Sequence, residues 1–290
     1  MHGSYFPELE SGEIISFHGF LLVIIFVIAT TAVLRRAWPG LIAPSLMKGL
    51  ITGGILLGIW ETCSFLGYLN PVFMPPPAKV FSNIVHLWNI GFIQPQIFFT
   101  LYRLVYAFIL ALLSAVTLAI LIGYFSKYFS SIESIVNAFR VIPAPAWLSL
   151  SILWFGIGNA SAIFIIWIGC FFPIFLNTLT GIGRAEQVQV ETILTFGGNR
   201  FDVLTEVIFP SAYHHILTGA RIGLGIGWIT VVTAELVSVD IGAGLGWMIS
   251  DSRILFDTTT VLSGIFLVGL LGLITDAVLR KFDGLVHGWS

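Results

Sequence analysis

The 290-residue chain is 57% hydrophobic and only 10% charged, with a mean hydropathy of +0.98. A soluble domain carries roughly 25% charged residues, so the composition excludes a soluble globule and places the chain in a bilayer. A net charge of -2 gives no reason to expect nucleic acid. The six histidines show no metal spacing, and Cys63 and Cys170 lie in apolar segments where core packing is the default.

A helix needs about 20 apolar residues to cross the hydrocarbon. Seven such stretches are predicted, at 15–34, 47–69, 98–124, 133–156, 160–182, 213–238 and 258–280. The first follows Glu8, Glu10 and Glu13, precedes Arg35 and Arg36, and lacks a basic leader and a small-residue cleavage site, so it is expected to stay in the mature protein. The second span contains Glu61, and the third opens near Arg103, read as an anchor that snorkels to the interface. In the fourth, Pro143 and Pro145 remove two helical donors just before Trp147 and must break or kink it. Non-helical backbone at membrane depth is tolerated where it is buried in protein or lines a wet cavity, so a pathway-lining segment and a simple interfacial kink are both open. The fifth span carries Pro173, read as a kink, and Asn177, its one amide, read either as pathway lining or as a satisfied helix–helix contact.

Between the fifth and sixth spans lies the polar segment ETILTFGGNRFDVLTEVIFP, from Glu191 through Thr192 and Gly197 to Pro210. Val190, Ile193 and Leu194, then Leu204, Val207 and Ile208, recur at helical spacing on either side of Gly197 and Gly198. Two short helices joined at a glycine turn follow, with Pro210 in the first turn of the next helix. Such a unit is either a docking site for something in water or an ordinary interfacial loop.

In the sixth span Gly219, Gly223 and Gly227 fall four residues apart and form a flat stripe for close helix packing. The glycine runs here and at Gly242, Gly244 and Gly246 follow no strand, so they are not a dinucleotide fingerprint. Arg221 is read as a second snorkelling anchor. Glu61 and Glu235 are the most embedded acids, and each suits either structural pairing or transport chemistry.

With the N-terminus outside, seven spans put ten of the thirteen Lys and Arg residues on the cytoplasmic side and leave Lys79, Arg103 and Arg253 outside. The bias orients the chain, with a cytoplasmic C-terminus and a cytoplasmic Glu191–Pro210 loop. No phosphate-binding loop occurs, so this chain does not itself use ATP in that manner, and no catalytic grouping stands out.

The spacing Glu191-x5-Gly197-x9-Val207-x-Phe209-Pro210 resembles the coupling loop of permease subunits of bacterial binding-protein-dependent ABC importers. PVFMPPPAKVF at 71–81, RVIPAPAW at 140–147, LWFGIGNAS at 153–161, FFPIFLNTLTGI at 171–182 and LTGARIGLGIGWITVVTAEL at 217–236 are similar to the nitrate, sulfonate, taurine and bicarbonate branch. The likeness spans roughly residues 45–285. Thr192 and Ile193 stand where the family has two alanines, and Phe209 where it has leucine before the proline.

The resemblance implies an all-α permease of about seven spans: a core at 46–290 with its coupling loop at 184–210, and an extension at 1–45 carrying an additional helix. It further implies a bacterial inner-membrane location, a second permease copy, two cytoplasmic ATPases that hold ATP and Mg, an extracytoplasmic binding protein and surrounding lipid, with no cofactor in this chain. Glu191, Thr192, Gly197 and Pro210 would belong to the ATPase-docking loop, and Pro143, Pro145, Trp147, Asn177 and Glu235 to the translocation path. The cargo would be a small anion such as nitrate, bicarbonate, taurine or another sulfonate. A seven-span secondary transporter or channel is the alternative, and an intramembrane enzyme would need a catalytic cluster absent from the spans.

Overall fold

A computed structural model describes residues 44–125, 129–237 and 242–286, together with Ile25. Among these residues every regular element is helical. In chain order they are α1 (Pro44–Phe65), α2 (Pro77–Asn89), α3 (Ile93–Phe125), α4 (Phe129–Phe139), a 3-10 turn (Ala144–Trp147), α5 (Leu148–Phe155), α6 (Asn159–Ile182) and α7 (Gln187–Thr195). Next come α8 (Arg200–Val203), a π turn (Leu204–Ile208), α9 (Phe209–Val237), α10 (Leu245–Ile254) and α11 (Thr258–Val286). The expected first span at 15–34 lies outside the described residues apart from Ile25.

Four described helical runs are long and apolar enough to cross a membrane: Ile93–Gly123, Asn159–Ile182, Arg200–Leu236 and Thr258–Lys281. The expected fourth span at 133–156 carries the break that its two prolines predict. Helix α4 stops at Phe139, Pro143 is extended at φ -63 and ψ 138, and helical structure resumes only at Ala144. The apolar remainder, Ala144–Phe155, is too short to cross by itself. The backbone breaks because Pro143 and Pro145 cannot donate to the preceding turn.

The chain divides into two compact units, Met1–Phe92 with Asp251–Ser263, and Ile93–Ser250 with Gly264–Ser290. In the first, buried Glu61 on α1 accepts the Ala78 N–H through Oε2 at 3.0 Å, capping the open end of α2. Asn83 Nδ2 donates to Thr260 Oγ1 and Ser263 Oγ at 3.1 Å each. Glu61 is thus a long-range helix cap, the structural alternative of the two left open.

The second unit is built on α6, with α3 and α9 packed along it. Ala107, Ala111, Ala115 and Ala119 are all fully buried and recur every four residues, giving α3 a narrow seam in the main core. On α9, a Cβ at Gly219 would sit 3.0 Å from Ile174 Cα, one at Gly223 3.0 Å from the Cys170 carbonyl, and one at Gly227 2.8 Å from Cys170 Sγ. The two helices therefore touch backbone to backbone. Side chains would push them apart, and within lipid this close contact is a main source of helix association.

Candidate functional site

The loop between α6 and α9 is a helix-turn-helix. Helix α7 ends in a paired closure: Gly197 N–H bonds to the Leu194 carbonyl at 3.2 Å and Gly198 N–H to the Ile193 carbonyl at 2.9 Å. Gly197 adopts φ +89, and a Cβ there would meet nothing within 4 Å. Gly198 is constrained by space instead, since its Cβ would lie 2.5 Å from Ile193 Cγ2. Sequence spacing singles out Gly197, but the tighter position is its neighbour.

Asn199 then starts α8. Its Oδ1 accepts the N–H groups of Phe201 and Asp202 at 2.7 and 3.1 Å, while Asp202 Oδ2 accepts the Asn199 N–H at 2.7 Å. This reciprocal capping box sets the direction in which the chain leaves the turn. The second helix does not stop at the loop. It runs on through the π turn, where Phe209 N–H reaches back five residues to the Leu204 carbonyl, into α9. Pro210 is the second residue of α9, in its first turn as expected, and that helix continues the π turn without a gap. The wider π turn accommodates its missing donor.

Glu191 and Thr192 lie on the exposed side of α7. Glu191 Oε1 accepts from Gln187 Nε2 at 2.9 Å, and Thr192 Oγ1 donates to the Val188 carbonyl at 2.6 Å. Val190, Ile193 and Leu204 pack against the core, whereas Val188, Phe196 and Phe201 are 73%, 88% and 68% exposed. The loop is anchored on one side and presents apolar side chains on the other.

Of the residues expected along a path, Pro143 and Pro145 are exposed at the break and Trp147 is half-buried, with its indole N–H enclosed and without a hydrogen-bond acceptor. Asn177 turns its amide to the Pro173 carbonyl of its own helix at 2.8 Å and presents its Cβ to Gly219.

Glu235 and Arg103 are both fully buried, joined by Nη1 to Oε1 at 2.6 Å. Arg103 is therefore not a snorkelling anchor. Its Nη1 also donates to the Ala243 carbonyl at 2.8 Å, and its Nε to Asn159 Oδ1 at 2.7 Å. Thr100 Oγ1 lies 2.9 Å from Glu235 Oε2 and accepts the Leu245 N–H at 2.8 Å. Glu235 Oε2 also accepts the Gly246 N–H at 2.9 Å, and Gln96 Oε1 accepts the Gly244 N–H at 2.6 Å. Residues from α3, α6 and α9 thus hold the start of α10, whose free N–H groups meet a carboxylate and a hydroxyl. Sequence spacing singles out Arg103 and Glu235 separately and does not pair them. The one signal that could is that both fall near the same expected end of their spans.

Among the described residues no group of three His, Cys, Asp or Glu side chains is arranged for a metal ion. Four apolar runs, a core closed by small residues and a polar helix-turn-helix define a multi-pass helical membrane protein. Residues 115–287 match the family described as binding-protein-dependent transport system inner membrane component, and the chain belongs to that family. It is 31% identical over 261 residues to the taurine transport system permease protein of Escherichia coli, covering 88% of this chain and 94% of the relative. Similarity to a putative aliphatic sulfonates transport permease protein of Bacillus subtilis is 30% over 262 residues, covering 90% and 94%. For the nitrate import permease protein of Synechococcus elongatus it is 26% over 248 residues, covering 80% and 86%. The chain is a permease of this taurine, sulfonate and nitrate branch.

Proposed function

We propose that this chain forms the membrane path of an ATP-driven importer for a small oxyanion, in the class of nitrate, bicarbonate, taurine or another sulfonate. Two copies pair in the membrane, two cytoplasmic ATPases carry ATP and Mg, and an extracytoplasmic binding protein delivers the cargo. The N-terminus lies outside and the C-terminus in the cytoplasm, with residues 1–45 as an extension on a core at 46–290. Pro143, Pro145, Trp147, Asn177 and Glu235 belong to the segments around the path. The relatives' cargoes support the substrate class.

One observation carries the reading: the exposed Val188, Phe196 and Phe201 on a loop otherwise fixed to the core. An ATPase groove covering that patch would transmit its closure directly into α9, because α8, the π turn and α9 are one continuous helix. Glu191, Thr192, Gly197 and Pro210 shape that contact.

The test is reconstitution of the chain in liposomes with its ATPase and binding protein. Uptake of radiolabelled sulfonate or nitrate should require all three components and ATP. Phe196→Ser with Val188→Ser should abolish ATPase association while leaving the permease folded. Uptake by the purified chain without an ATPase would instead establish the secondary-transporter reading.

A further inference from the structure

A second charged cluster stands apart from the buried clamp and from the docking loop. Thr218, Arg221 and Ile222 on α9 and Asp276 on α11 line an open cavity of about 260 Å³. That is several times the roughly 30 Å³ a water occupies in the liquid. The cavity lies between α9 and α11, the helices of two apolar runs long enough to cross a membrane.

The charges here do not balance. Asp276 Oδ2 is bonded to Arg280 one turn along α11, leaving Oδ1 3.6 Å from Arg221 Nε, too far for a hydrogen bond. That Nε is enclosed by protein and has no hydrogen-bond acceptor, while the Arg221 side chain as a whole is 38% exposed. Two guanidiniums face one carboxylate, a net charge of +1. The contrast with Arg103 and Glu235 is direct, since that pair is matched one to one and fully enclosed.

The walls are held firmly. Trp228 Nε1 donates to Thr275 Oγ1 at 2.9 Å, tying α9 to α11 beside Asp276. Thr218 directs its hydroxyl proton to the His214 carbonyl at 2.9 Å and so serves as wall rather than donor. The cationic side chain among the lining residues is Arg221, whose planar guanidinium fork matches the oxygens of a nitrate, sulfonate or phosphate group. Arg221 also lies eleven residues beyond Pro210 on the same helix, roughly 16 Å along its axis at 1.5 Å per residue.

We infer that Arg221, with Arg280 beside it, forms an oxyanion-binding site in the cavity between α9 and α11, with Asp276 as an internal competitor for the same guanidiniums. The oxyanion is either a free anion in transit, a source that rests on the importer reading above, or the phosphate of an anionic lipid headgroup. Asp276 keeps the site from holding its anion too tightly, as release along a path requires.

The competitor gives the test its sign. The full chain in phosphatidylcholine nanodiscs is titrated with trifluoromethanesulfonate and followed by fluorine NMR line broadening. Arg221→Gln should weaken binding about tenfold or more, the loss of a charged hydrogen bond. Asp276→Asn should strengthen it several-fold by removing a like charge, an effect no merely structural role of the pair produces. Arg221→Lys should restore part of the loss, as a point charge without the fork. Size-exclusion profile and melting confirm folding; if Arg221→Gln fails to fold, Arg280→Gln and Asp276→Asn carry the comparison.

In the second arm, the chain is extracted from phosphatidylglycerol-containing vesicles and bound lipid is counted by native mass spectrometry. Retention that falls in Arg221→Gln and rises in Asp276→Asn assigns the site to a headgroup; the same pattern with trifluoromethanesulfonate alone assigns it to a free anion. The inference is overturned if neither probe binds, or if Arg221→Gln and Asp276→Asn move binding in the same direction or leave it unchanged. ATP-driven uptake by the assembled complex is measured separately, so the importer reading can fail while this binding persists, and the reverse.

Discussion

Two helix starts in this permease are capped by side chains and end in opposite environments. At Arg200 the caps are Asn199 and Asp202, three residues apart in the chain, and the surrounding apolar side chains face outward. At Leu245 the caps are Thr100 and Glu235, the former 145 residues away, and everything is enclosed. A local cap shapes a loop without attaching it to anything else, which leaves Phe196 and Phe201 free for a partner. A long-range cap ties three helices to a loop, and its charges are lost from water for the sake of position.

That contrast is broken most directly at Arg103 or Glu235. Leaving one charge buried without its partner costs about 3–5 kcal/mol, so Glu235→Gln or Arg103→Met should lower the melting temperature of the purified chain sharply. The double variant Arg103→Met with Glu235→Leu should melt above either single variant, because no buried charge remains. Single variants as stable as the parent would mean the clamp is not what holds the start of α10.

Next comes Gly244, where φ is +129 and a Cβ would lie 2.5 Å from the Glu235 carboxyl carbon. Gly244→Ala should cost about 1–3 kcal/mol from backbone strain and crowding together. At Gly197 only the backbone term applies, so Gly197→Ala should cost about 1 kcal/mol. Equal losses in parallel melts would erase the distinction between the sealed and the open turn.

Asn199→Ala should remove about 1 kcal/mol and show as faster amide exchange confined to Phe201 and Asp202. The smallest change in stability belongs to Phe196→Ser, within about 0.5 kcal/mol, since an exposed side chain loses no packing. Its effect appears in pull-down of the ATPase, where binding should fall at least tenfold; an unaltered pull-down would place the partner elsewhere.

Much of the helix-turn-helix loop is legible in the order of residues alone. Gly197 and Gly198 between two runs of helical spacing announce a turn, and Pro143 with Pro145 announce a break, because both effects act through covalent geometry within a few residues. Within the expected span at 133–156 the structure places that break between Phe139 and Ala144. Pro210 keeps its expected place in the first turn of α9, but the π turn that runs into that helix is not legible from spacing.

By itself, then, the order of residues determined a helical membrane protein, its glycine stripe and its helix-turn-helix loop, which rest on composition and on spacing within a turn or two, while the permease class rested on motifs that resemble a known family. Only the tertiary structure decided what each charged group meets. Arg103 with Glu235, Glu61 with the start of α2, and Arg221 with Asp276 are each joined across separate helices. No periodicity encodes such pairs, because each depends on where two helices happen to be level with one another in space.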